Sequence, residues 1–275
     1  MTDPTVVTLP DAEACALAAA ERIIEILDVA IDDRGEAHWV TTGGSSPAGI
    51  YRNLASPALR NELDWRKVRL WFTDERFVPL ENPLSNAKVA FDLLLDSGAF
   101  GGLSGTGQSG VDVEIGREPG VPIRVDDVHP FPVAAAIGEG RDSSWCAARY
   151  AAEIRADGPE EDDAGLPSFD LMLLGVGPDG HILSVFPGSA AFDDDGWAVG
   201  IPAPTHVEPH VQRVTMNPAL VPAARDLVVV ATGGSKADVL RDVLRSPEEP
   251  RRLPAQLARR AGATWILDRA AAANL

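Results

Sequence analysis

Four short segments hold the residues able to do chemistry, and each places ionisable or hydroxyl side chains beside glycines or a strand end. Gly175-Val176-Gly177-Pro178-Asp179-Gly180-His181 sets an imidazole two residues after a carboxylate on a glycine-loosened turn. A neutral imidazole is a general base suited to pH 7, and a nearby carboxylate orients it or holds water. His181 and Asp179 are therefore the expected catalytic pair. Thr42-Gly43-Gly44-Ser45-Ser46-Pro47 lets backbone approach a ligand closely. The helix opened by Pro47, capped by Ser45 or Ser46, would offer free N–H groups to an anion. Thr73-Asp74-Glu75-Arg76 sets three charges directly after the apolar run Leu70-Trp71-Phe72. Arg76 is read as neutralising a substrate oxygen, with Asp74 or Glu75 holding its guanidinium. Arg213 and Lys236 each offer a cation to a dianionic phosphate, and Ser235 is expected to cap a helix at Lys236. His38, His129, His206 and His210 lack such a setting and are expected to be structural or exposed.

These segments need a frame that presents them together. Residues 11–30 read as a helix with Asp11 as N-cap and Leu17, Ile23, Ile24 and Leu27 as its buried stripe. Strands are expected at 38–42, 68–72, 169–174, 211–216, 227–231 and 264–267, with an edge strand at 123–125. Helices are expected at 47–60, 87–96, 143–156, 236–244 and near 254–260. Strands alternating with helices predict an α/β fold with a largely parallel central sheet, whose ligands bind beyond the carboxyl ends of the strands. Residues 1–275 read as one domain, with the Gly/Ser-rich stretch 97–120 as a mobile surface insertion. Glu160-Glu161-Asp162-Asp163 reads as a solvated acidic turn.

Composition narrows the class of function. Of 275 residues 45% are hydrophobic, enough for a sizeable core; 24 Lys and Arg oppose 41 Asp and Glu, a formal charge of −17. That balance argues against nucleic acid or an anionic membrane as partner, because both require clustered cations. An anionic small molecule instead requires a locally positive site inside a negative shell. Cys15 and Cys146 read as two reduced, buried thiols. No secretory leader or apolar stretch of about 18 residues is evident, so a soluble cytoplasmic protein is expected. Gly175, Gly177 and Gly180 spell the GxGxxG dinucleotide fingerprint. Asp179 would face the pyrophosphate, however, and Pro187-Gly188 interrupts the required helix, so no nicotinamide or flavin cofactor is expected. One His with one carboxylate is too few ligands for a metal, and none is expected. Oligomeric state is not legible.

Taken together, TTGGSSP (41–47), WFTDERFVP (71–79), SNAKVAFDLLL (85–95), FDLMLLGVGPDGHILSVFPGS (169–189), RVTMNPALVPAAR (213–225) and GGSKADVL (233–240) resemble the 6-phosphogluconolactonase family over most of the chain. That family's first loop often reads SGGST; Thr42 and Ser46 keep its hydroxyls. The resemblance implies a fold shared with glucosamine-6-phosphate deaminase and ribose-5-phosphate isomerase. It also implies cofactor-free hydrolysis of 6-phospho-D-glucono-1,5-lactone in the oxidative pentose phosphate pathway. By the same resemblance His181 is the base, Asp179 its partner, and the Gly43-Gly44 loop, Arg76, Arg213 and Lys236 bind the anionic substrate. The related amino-sugar isomerases and deaminases typically carry Asp-Glu-Tyr where this chain has Asp74-Glu75-Arg76, and a Glu where Phe186 precedes Pro187. A non-enzymatic sugar-phosphate sensor would need a DNA-binding module, which the early start of the α/β pattern and the acidic charge oppose.

Overall fold

The structure, a computed structural model, describes residues 3–95 and 119–275. In chain order the strands are β1 (Thr5–Leu9), β2 (Ala37–Thr41), β3 (Val68–Phe72), β4 (Asp74–Arg76), β5 (Val128–His129), β6 (Leu171–Gly175), β7 (Ala198–Ile201), β8 (Arg213–Met216), β9 (Asp226–Ala231) and β10 (Ala263–Asp268). The helices are α1 (Ala12–Arg34), α2 (Ser45–Leu54), α3 (Asn86–Leu93), α4 (Val133–Gly138), α5 (Ser143–Asp157), α6 (Leu220–Ala223) and α7 (Ala237–Arg245). Seven strands form one all-parallel sheet in the order β1-β10-β9-β6-β2-β3-β5. The strands β4-β8-β7 form a small antiparallel sheet.

The sequence accounts for these elements locally. Asp11 caps α1 by accepting from the Ala14 N–H at 2.9 Å, and Gly35 ends it with φ 86. The buried face of α1 is largely alanine (Ala16, Ala19, Ala20, Ala30) with Cys15, Ile23, Ile26, Leu27 and Ile31. Leu17, expected in that stripe, is 42% exposed, and Ile24 is only partly buried. Small side chains let the helix backbone lie close to its neighbours, so the largest apolar residues misreport its inner face. The strand β2 is buried along its whole length, as a strand covered on both faces must be. Trp39 of β2 packs against Trp65 and Tyr51, with ring centroids 6.2 and 6.5 Å away.

Several expected elements differ. The edge strand at 123–125 is instead a 3-10 turn at Val125–Asp127, and the pairing falls on Val128–His129. Leu70 and Trp71 of β3 pair with those two residues, and Trp71 stacks on His129 at 3.9 Å. The segment 254–260 is a 3-10 helix, Pro254–Ala258. Asp74-Glu75-Arg76, given no element from the sequence, is a strand. The proposed insertion at 97–120 lies almost wholly outside the described residues. No helix among the described residues is long and apolar enough to cross a membrane.

Sheet order fixes where a ligand can sit. From β2 the chain builds outward through β3 to β5, then returns to β6 on the other side of β2 and builds through β9 to β10. The direction of building reverses between β2 and β6, and such switch points open a crevice beyond the strand carboxyl ends. The loops after β3, β2, β6 and β9, which are consecutive in the sheet, carry three of the segments singled out by their chemistry and Lys236 of the fourth, while Arg213 lies on β8.

Candidate active site

A cleft of about 290 Å³ opens at that switch point, and Gly43, Arg76, His181, Arg213 and Lys236 all line it. Thr42, Gly44, Asp74 and Asn86 complete the same wall. Two wider grooves, of about 550 and 500 Å³, lie elsewhere and are lined by no histidine.

The turn after β6 orients the imidazole. Its Nδ1 lies 2.5 Å from Asp179 Oδ1, and the His181 N–H donates to the same oxygen at 3.1 Å. The Gly177 N–H donates to the His181 carbonyl at 2.8 Å, closing the loop on itself. A Cβ on Gly177 would fall 2.1 Å from the ring, so glycine is required there for the imidazole to lie against the backbone. Partial burial opposes charge on Asp179, but hydrogen bonding and attraction from His181 prevail and hold its pKa at about 2. A carboxylate fixed on Nδ1 leaves Nε2 for the cleft, the tautomer of a general base. Leu183, two residues on, has φ 52, a left-handed conformation that bulky residues rarely adopt. Its neighbour Ser184 secures the strained turn: the N–H donates to Thr215 Oγ1 at 3.2 Å and Oγ to Asp74 Oδ2 at 2.7 Å.

Two of the cations, Arg76 and Arg213, come from the small sheet. Residues alternate faces along a strand, so Asp74 and Arg76 face the cleft while Glu75 turns away. Glu75 accepts from the N–H groups of Asn86 (2.6 Å), Ala87 (2.9 Å) and Arg76 (2.7 Å) and from Ser85 Oγ (2.9 Å). It thereby ties the first turn of α3 to β4. Burial raises its pKa to about 7 in spite of those donors. Neither Asp74 nor Glu75 holds the Arg76 guanidinium, contrary to expectation. The Leu84 carbonyl (3.1 Å) and Asn86 Oδ1 do so. Asn86 in turn donates to the Asp74 carbonyl at 3.0 Å and lies against Gly43, where a Cβ would approach within 2.1 Å.

Arg213 is directly opposite Arg76 in the β4–β8 ladder. Like charges across a strand pair repel. Yet among the described residues neither guanidinium forms a salt bridge, and both Nε atoms are buried without a partner. Burial lowers the Arg213 pKa, with Asp74 and Asp179 drawing it back up. The Phe186 ring lies 5.3 Å from the Arg213 guanidinium and 4.7 Å from the His181 ring, so base and cation flank one aromatic side chain. Lys236, beyond β9, adds a third cation whose pKa burial lowers against the pull of Asp268. Three cations in one cleft, without a salt-bridged carboxylate among the described residues, can receive an anion within an acidic protein.

Two capping expectations fail. Helix α2 begins at Ser45, so Gly44 takes the N-cap position with no side chain to accept from the first-turn N–H groups. The side chains of Ser45 and Ser46 lie outside the described residues. Ser235 sits inside a 3-10 turn, Gly234–Lys236, and Lys236 itself occupies the N-cap of α7. His38 and His129 are buried around Trp71, as structural residues. His206 is not isolated: its Nε2 lies 3.3 Å from Asp179 Oδ2. The orienting role of Asn86, the bridging ring of Phe186 and the contact of His206 were not evident from sequence. Each depends on pairing between distant segments, although a buried Asn directly after the α3 cap Ser85 was a usable signal.

The family model for glucosamine-6-phosphate isomerases/6-phosphogluconolactonase matches residues 10–266. The 6-phosphogluconolactonase of Streptomyces coelicolor is 34% identical over 99% of this chain and 95% of its own length. The solved 6-phosphogluconolactonase from Trypanosoma cruzi superposes with a TM-score of 0.79 at 27% identity, covering 99% of this chain and 97% of that one. A monomeric glucosamine-6-phosphate deaminase shares the fold, with a TM-score of 0.73 at 16% identity over 98% of this chain and all of its own. The chain belongs to the glucosamine-6-phosphate isomerase/6-phosphogluconolactonase family.

Proposed function

We propose that this chain hydrolyses 6-phospho-D-glucono-1,5-lactone to 6-phospho-D-gluconate in the oxidative pentose phosphate pathway, using the cleft at the switch point. One observation carries the reading: a carboxylate-oriented imidazole opens into the cleft that holds Arg76, Arg213 and Lys236, none of them salt-bridged to a carboxylate among the described residues. A lactone is an activated ester, so a positioned water and a base suffice without a covalent nucleophile. His181 Nε2 takes a proton from water as the oxygen attacks the carbonyl carbon. The oxyanion forms near Arg76 and the N–H groups of the Gly43-Gly44 loop, and is stabilised by them. As it collapses, the ring carbon–oxygen bond breaks and the imidazolium returns its proton to the departing ring oxygen. Arg213 and Lys236 hold the phosphate, one as a fork and the other as a point charge.

The deaminase reading is less well supported, because Phe186 stands where those relatives place a carboxylate for proton shuttling. The same reading takes residues 1–275 as one α/β domain, on the strength of a core that joins α1 to the last strand. It also assigns the chain to the cytoplasm, with a phosphorylated small molecule as substrate and no nucleic-acid partner. A phosphorylated substrate, two buried free thiols and the charge of −17 support this. The test is proton release when fresh lactone is added to a weakly buffered solution, with and without the protein. Acceleration over spontaneous hydrolysis, with no ammonia from glucosamine 6-phosphate, is expected. An unchanged rate overturns the proposal.

A further inference from the structure

Asp179 is shared between two imidazoles, and only one of them faces the cleft. Oδ1 is engaged by His181, while Oδ2 lies 3.3 Å from His206 Nε2. His206 belongs to the segment between β7 and β8, which also brings Val207 and Glu208 to the cleft. Its ring packs edge-on against Phe186 at 5.3 Å, and Phe186 is the ring that touches His181 at 4.7 Å. The segment is braced from within: the Pro204 carbonyl meets His210 Nδ1 at 2.8 Å, and the Pro209 carbonyl accepts from Arg213 at 3.2 Å. His206 is thus held on the far oxygen of the carboxylate that orients the base, although its side chain is 54% exposed.

We infer that His206 is a positioning residue, acting through Asp179 to set the proton affinity of His181 and extend activity toward lower pH. The inference rests on the lactonase reading of the cleft. A His206 N–H donating to Oδ2 draws off part of the carboxylate charge that otherwise favours a protonated His181 ring. That donation favours the neutral, proton-accepting form of the base. The other charged groups facing this pair are Arg213, whose field reaches Asp179, and Arg76, Lys236, Asp74 and Glu208 around the cleft. His210 lies 3.0 Å from Glu208 and so turns toward it rather than toward Asp179.

Two variants separate the donor from the packing. His206→Phe keeps a ring against Phe186 and loses the donor, whereas His206→Gln keeps an N–H donor. For His206→Phe the acid limb of kcat against pH should move up by about half a pH unit, the size expected of a half-exposed contact. KM and the plateau kcat should stay within about threefold of wild type, and His206→Gln should recover most of the shift. Titration of the His181 ring by NMR in wild type and His206→Phe reads the same coupling without turnover. An upward shift of its midpoint supports the inference. Superimposable titrations overturn it, whatever the activity. A shifted titration in a protein that never accelerates lactone hydrolysis would sink the lactonase reading and leave the coupling of the two imidazoles standing.

Discussion

Replacing Gly177 with alanine isolates the placement of the base from every other feature of the site. The backbone at Gly177 is not in the left-handed region, so alanine meets no conformational penalty there. The added Cβ would instead stand 2.1 Å from His181 Cε1 and Nδ1, where ordinary contact begins at 3.4 Å. The ring must retreat by roughly 1 Å or more, and the 2.5 Å contact to Asp179 cannot survive that movement. A displacement of about 1 Å at a reacting group costs on the order of 10²-fold in rate, about 2.7 kcal/mol of barrier. Because the cations lie on other elements, KM should change by less than about threefold. Initial rates at saturating lactone, followed by proton release, measure the effect, and near-UV circular dichroism checks that the fold is kept. A folded variant retaining more than a third of wild-type kcat would refute the claim that ring placement matters.

Three further outcomes follow from the same geometry. Asn86→Ala removes the side-chain oxygen on Arg76 and the group packed on Gly43, so steady-state kinetics should show kcat/KM falling roughly 10- to 100-fold. Lys236→Ala should raise KM about 10-fold or more with a smaller change in kcat, and an unchanged KM would remove Lys236 from phosphate binding. His38 is 4% exposed, and burial lowers its pKa below the unfolded value. Its contribution to stability is therefore present above about pH 6.5 and is lost as pH falls through the folded value. Urea melts at pH 7 and pH 5 should show a smaller loss for His38→Asn than for wild type; equal losses would exclude His38 as a source.

Much of the frame was legible because parallel strands buried on both faces read as apolar runs, as in Leu171–Gly175 and Asp226–Ala231. The site was legible in its parts for a related reason: a parallel sheet sends its chemistry to the strand ends, where glycines and charges stand out against apolar runs. The missed strands were short or exposed. Thr5–Leu9 lies on an edge with an exposed pattern, and Ala198–Ile201 belongs to the small sheet. Asp74–Arg76 was not expected as a strand because three consecutive charges disguise one whose central residue caps a helix. That same cap misled the assignment of Glu75, since its partners Ser85, Asn86 and Ala87 lie at least ten residues away. His206 was invisible for a similar reason: its partner Asp179 is 27 residues distant.

In the proposed chemistry one imidazole, that of His181, acts as general base among three cations. The most direct test of that role is the turnover of 6-phosphogluconolactone by wild type and by His181→Ala at pH 7.5, each corrected for spontaneous hydrolysis. A loss of roughly 10²- to 10⁴-fold in kcat with a folded variant and a nearly unchanged KM is predicted. Turnover by His181→Ala within a few-fold of wild type would contradict it.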